Sequence, residues 1–277
     1  MDEQNLLLTL ATKTYTLLNG ETIAYFDSEP QPSEHKPTLV LLHGYCGSSA
    51  YFSKLIPLLS DQYRILVPDL IGHGHSTASA EAIYTMELAA SWIDEWLTNI
   101  GIADMHILGH SLGGYITLAI AQRNPGYLRS FGLLHSTALP DSEQAKANRD
   151  QAIATVQQQG VVSFVSDLVV KLFAAPERQT ELLDYAQQIG TLASSHAVIS
   201  YARGMQQRID RTTIINNASM PVLLVSGGKD KVINSESTFA GSNQITHCHI
   251  IEESGHMGML ETPVQLATII QQFVNEH

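Results

Sequence analysis

Cysteine is almost missing from this sequence. Only Cys46 and Cys248 occur in 277 residues, too few for a disulfide framework and a fit to a reducing compartment. Basic residues are scarce too: 15 lysines and arginines stand against 27 aspartates and glutamates, a formal net charge of −12. A surface of that sign repels nucleic acid and anionic membrane, and no basic cluster offsets it. Long apolar runs are also lacking, since none approaches the roughly 20 residues that cross a bilayer. The amino-terminal MDEQN has neither the basic start nor the apolar stretch of a secretory signal. These absences predict a soluble cytoplasmic protein with neither nucleic acid nor membrane as partner.

What is present suits one large domain, or one domain with an insertion. "TKTYTLLNGETIAYFDSE" places two β-prone runs around Asn19-Gly20, a hairpin signal. Residues 29–37 hold three prolines and read as a loop. Apolar strands then alternate with helical stretches, at 38–42, 64–67, 105–108, 130–134, 222–226 and 248–251. That alternation predicts a parallel sheet covered on both faces. It stops between 136 and 211, where "VVSFVSDLVVKLF" and "SSHAVISYARGMQQRID" read as helices without strands between them. In the first, Val161, Val165, Leu168 and Leu172 share a face that Val162, Val169 and Phe173 widen. The stretch reads as a helical insertion over the sheet's carboxyl edge, where open α/β sheets bind ligands.

The most informative segment is "ILGHSLGGYITLAIA", residues 107–121. Gly109-His110-Ser111-Leu112-Gly113 fits G-x-S-x-G between a strand and a helix, the context that gives the pattern meaning. The turn pushes Ser111 outward, and the helix that follows aims amide N–H groups and a positive dipole end at the same point. A serine hydroxyl needs a histidine as base and a carboxylate to orient that base. "HCHIIEESGHMGMLETP" supplies His256 after a strand, and "VLLVSGGKDKV" supplies Asp230 at a strand end. The loop after "LVLLHGYCGS" can turn a backbone N–H toward the serine, so the amides of Tyr45 and Leu112 are expected to form an oxyanion hole.

Together, "LLHGYCGS", "VPDLIGHGHS", "LGHSLGGY", "SGGKDKV" and "SGHMGMLETP" resemble the sequence blocks of the α/β-hydrolase fold, in the same order and over essentially the whole chain. The resemblance implies an α/β fold with a mostly parallel eight-stranded sheet, helices on both faces and an inserted helical cap. The core would be residues 1–135 and 212–277, and the cap 136–211. It also implies a serine triad, here Ser111, Asp230 and His256. Relatives that remove halogens or open epoxides carry aspartate at the nucleophile position, and Ser111 argues against both. Ile71 departs from the commoner "DLPGHG", which touches loop rigidity and nothing catalytic.

Several residues compete for roles. Asp141, one strand earlier, is the rival acid, although Pro140 places it well into the insertion. His43 is expected to support the oxyanion loop, His110 to point away from Ser111 and pack or line, and Asp69 to form a turn. His73 with His75, and His247 with His249, are H-x-H pairs without a further ligand at suitable spacing, so neither metal nor cofactor is expected. Cys46 reads as a small loop residue rather than a nucleophile. Met257 and Met259 could line a pocket or simply pack. The function this predicts is a serine hydrolase of small carboxylic esters or lactones. The alternatives are carbon–carbon cleavage on the same triad, as in menaquinone-biosynthesis or ring-cleavage relatives, and a ligand receptor that retains the triad. The carbon–carbon alternative needs inward cationic residues, for which Arg178, Arg203 and Arg208 are available.

Overall fold

A computed structural model describes residues 8–29, 36–123 and 125–277. Most of the proline-rich loop expected at 29–37 lies outside the described residues. Strands β1 (Lys13–Thr16) and β2 (Thr22–Asp27) form the expected hairpin, with Thr16 opposite Thr22. Its loop is longer than a two-residue turn: Leu17 and Glu21 still pair across it, and Gly20 takes the left-handed position at φ 93°. The sheet continues through β3 (Thr38–Leu42), β4 (Arg64–Pro68), β5 (Met105–His110), β6 (Leu128–Leu134), β7 (Val222–Gly227) and β8 (His247–Ile251). The strand order is β1-β2-β4-β3-β5-β6-β7-β8, antiparallel from β1 to β4 and parallel from β4 to β8.

The unbroken apolar run of β3 follows from burial on both sides. Val40 and Leu42 join one core with Trp96, Ile116 and Ile120, whereas Leu39 and Leu41 join the other with Tyr63, Ile270 and Phe273. Helices α1 (Met86–Asn99) and α2 (Leu112–Arg123) close the first face. Thr85 starts α1 by accepting a hydrogen bond from the Leu88 amide at 3.1 Å.

Between β6 and β7 the chain runs through α3 (Glu143–Val169, kinked at Gly160), α4 (Thr180–Gly190) and α5 (Ser195–Gln206). Among the described residues no strand interrupts them, as the loss of alternation predicted. They contact the loops at the carboxyl ends of the strands. The Tyr45 hydroxyl donates to the Val198 carbonyl at 2.7 Å, and the His256 amide donates to the Leu172 carbonyl at 2.8 Å. The broad apolar face of 161–173 is only partly covered: Val161, Val165, Val169, Leu172 and Phe173 are buried, but Val162 is 60% exposed. The last long helix, α6 (Pro263–Asn275), packs on the second core. No described helix is long and apolar enough to cross a membrane.

The join of β5 to α2 tolerates no side chain at two positions. A Cβ on Gly109 would lie 2.2 Å from the Gly113 carbonyl oxygen, and one on Gly113 would lie 2.3 Å from that of Leu42. These are backbone neighbours that cannot swing aside. Gly109→Ala should therefore destabilise the fold by about 2 kcal/mol or more, as overpacking against fixed atoms does. Gly126, whose Cβ would meet nothing within 4 Å, should tolerate alanine to within roughly 0.5 kcal/mol. Urea unfolding of the two variants checks the contrast; equal midpoints would refute it.

Candidate active site

Ser111 sits at the tip of the β5–α2 turn with φ 50°, in the left-handed region that a non-glycine residue enters only under constraint. The constraint comes from the end of β6. The Ser111 amide donates to the Leu134 carbonyl at 3.1 Å, and the Ser136 hydroxyl donates to the Ser111 carbonyl at 2.7 Å. With both flanking peptides fixed, the side chain has one direction open. Cys46 (φ 54°) and His135 (φ 49°) are the other left-handed non-glycine residues among those described. They follow β3 and β6, on either side of the strand that carries Ser111.

Asp230 and His256 meet across the loops after β7 and β8, with Asp230 Oδ2 2.8 Å from His256 Nδ1. The other carboxylate oxygen accepts from the amides of Val232 (2.8 Å) and Ile233 (3.0 Å), which leaves Oδ2 aimed at the ring. Burial opposes charge on Asp230. The neighbouring His256 and these hydrogen bonds outweigh it and hold the carboxyl well below the usual carboxylate range. His110, directly before Ser111, donates from Nε2 to the His256 carbonyl at 2.9 Å, so the residue expected to pack or line also braces the His256 loop. Among the described residues the Ser111 hydroxyl has no hydrogen-bond partner. The Tyr45 and Leu112 amides likewise donate to no protein group there.

The remaining candidates separate clearly. Asp141 is buried away from His256, held by Arg149 and Arg208. Burial pushes the Cys46 thiol up, which disfavours the thiolate a nucleophile needs. Met257 and Met259 are buried in the second core. Asp69 does more than form a turn: its carboxylate ties Thr9, the Ser49 amide and the His75 amide together at 2.7, 2.7 and 2.9 Å. Among the described residues His249 joins no metal-ligand group, although His247, Glu276 and His277 bring three ligand atoms within 4.8 Å of one another near the carboxyl end. Of the arginines between β6 and β7, Arg178 is 85% exposed and Arg203 reaches the Ala82 carbonyl, while Arg208 lines a cavity of about 930 Å³ with Tyr45 and Tyr115.

Three contributors escaped the sequence reading. His135 is fully buried with Nδ1 3.7 Å from Asp230 Oδ2, too far for a hydrogen bond. Glu261 binds the Met257 amide at 3.1 Å and the Ala174 amide at 2.9 Å, tying the His256 loop to the inserted segment. Arg149 lines the cavity from α3. Only Glu261, inside a motif block, carried any signal; the other two look like an ordinary strand end and an ordinary helix charge.

A family model described as alpha/beta hydrolase fold matches residues 37–263. The fold is that of the class, and the chain belongs to the alpha/beta hydrolase family. Lipase 3 of Moraxella sp. (strain TA144) is 24% identical over 273 residues, spanning 95% of this chain and 84% of the lipase. A thermophilic esterase from Thermogutta terrifontis, solved with malate bound, superposes with a TM-score of 0.86 at 24% identity, over 96% of this chain and 99% of the esterase. The enol-lactonase from Burkholderia xenovorans LB400 also reaches 0.86, at 18% identity, over 95% of this chain and all of the lactonase.

The loop that carries the Tyr45 amide rests on two neutral imidazoles. His43 Nε2 accepts from the Leu70 amide at 2.8 Å, and His73 Nε2 accepts from the Cys46 amide at 3.2 Å. Burial lowers His43 to about 4 and His73 to about 3, so the folded protein refuses protons that the unfolded chain takes up below its ordinary value of 6.5. Their contribution to stability is thus complete above about pH 6.5 and is lost as the pH falls toward 4. The pair should cost on the order of 2–3 kcal/mol between pH 6 and pH 5. Urea unfolding at pH 7, 6 and 5 measures this, and a flat profile would contradict it.

Proposed function

We propose that the protein is a serine hydrolase of small carboxylic esters or lactones. The observation that carries this reading is the 2.8 Å contact of Asp230 with His256 Nδ1, on a loop that His110, the residue before Ser111, braces through the His256 carbonyl at 2.9 Å. In the proposed reaction Ser111 Oγ attacks the carbonyl carbon while His256 Nε2 takes its proton. Asp230 keeps the Nδ1–H tautomer and stabilises the imidazolium. The unused amides of Tyr45 and Leu112 receive the oxyanion, Leu112 with the help of the α2 dipole. His256 then returns the proton to the leaving alcohol. Water, activated by the same imidazole, releases the acyl group.

Residues 136–211 serve in this reading as the cap, with 1–135 and 212–277 as the catalytic core. The esterase, lipase and lactonase among the similar proteins support ester chemistry. Carbon–carbon cleavage on the same residues is a second reading, favoured by the inward guanidinium of Arg208.

Turnover of p-nitrophenyl hexanoate tests the first reading. Ser111→Ala should lose on the order of a million-fold in kcat. Asp230→Asn should lose about 10³- to 10⁴-fold, because an amide selects the wrong hydrogen-bonding pattern at Nδ1. Near-wild-type activity in pure Ser111→Ala protein would sink the serine mechanism. Failure to cleave any short ester, with cleavage of an anionic β-diketone, would put the carbon–carbon reading in its place.

A further inference from the structure

The cavity that Tyr45 and Tyr115 share is charged against the trend of the molecule. Ser111 is not in its wall, but two lining residues border the site: Tyr45 carries the proposed oxyanion amide, and the Tyr115 amide donates to the Ser111 carbonyl at 3.3 Å in the turn that follows the serine. At the inner end one buried carboxylate, Asp141, faces two guanidiniums: it accepts from Arg149 Nε at 3.2 Å and from Arg208 Nη1. In the exposed part of the lining two lysines, Lys171 and Lys231, outnumber the one carboxylate, Asp167. Each level keeps a positive charge in excess, in a chain whose net charge is −12.

The donors are also underused. Arg208 donates Nε to the Leu139 carbonyl at 3.0 Å and lies over the Tyr115 ring, with Cζ 4.1 Å from its centroid. Among the described residues Arg208 Nη2 and both terminal nitrogens of Arg149 have no hydrogen-bond partner. A guanidinium fork matches a planar carboxylate, and these three nitrogens are free to donate to one.

We propose that this cavity binds a free carboxylate on the substrate, with Arg149 as its direct partner and Arg208 behind it, so that the ester cleaved is a half-ester of a dicarboxylic acid. The buried inner end suits the part that stays attached through the acyl-enzyme, while the alcohol leaves by the mouth. This rests on the ester-hydrolase reading above and adds the substrate class.

The test compares kcat/KM for mono-p-nitrophenyl adipate and p-nitrophenyl hexanoate, which share chain length and scissile bond and differ in the end group. The adipate half-ester should be preferred about tenfold or more, mainly through KM, as expected for a charge-assisted contact to a carboxylate. Arg149→Gln should reduce that preference by about tenfold, and Arg149→Lys should restore part of it by keeping the charge. A ratio near one in the wild type, or one that Arg149→Gln leaves untouched, overturns the subsite. Hexanoate turnover that depends on Ser111 would still uphold the ester reading in that case. Calorimetric titration of Ser111→Ala protein with adipate covers the converse. Binding that weakens when Arg149→Gln is added supports the subsite even if neither ester is cleaved, and no binding overturns it.

Discussion

The left-handed backbone at Ser111 is the constraint around which this molecule is arranged. A non-glycine residue at φ 50° costs of order 1–3 kcal/mol and persists only where its surroundings over-determine it. Here the end of β6 and the loop just past it supply the restraints, one from the Leu134 carbonyl and one from the Ser136 hydroxyl. The close passage of Gly109 against Gly113 leaves the chain no room to relax. Because the turn is fixed from the neighbouring strand, the rigidity of the parallel sheet is passed directly to one side chain. The left-handed residues at Cys46 and His135 repeat the device on the flanking strand ends.

A second theme is the keeping of charge away from the turn. His43, His73 and His110 are buried, each below its ordinary value chiefly through desolvation. Neutral imidazoles can donate from one nitrogen and accept at the other, so they link loops without importing a cation. That leaves the Asp230 carboxylate as the group beside His256 Nδ1. The positive excess lies instead in the cavity, on Arg149 and Arg208, with Asp141 as their shared counter-ion. Asp141 competed with Asp230 as a sequence candidate because both are aspartates beyond a strand. What separates them is the company each keeps.

The sequence by itself determined the layered fold, through apolar runs too continuous for a half-exposed sheet and a stretch of 76 residues in which strands stop. It also determined which residues could do chemistry, because glycines at a turn and a histidine or aspartate just past a strand are local signals. Contacts between residues far apart in the chain were left to the tertiary structure. It decided that Asp230 rather than Asp141 lies against His256, that His110 braces the His256 carbonyl across 146 positions, and that Arg149 and Arg208 converge on one carboxylate. It also left Val162 in solvent on a helix face the pattern had assigned to burial. The reason is physical: periodicity and turn chemistry record what each segment does to its own backbone, whereas hydrogen bonds and ion pairs between loops depend on how the sheet places strand ends side by side.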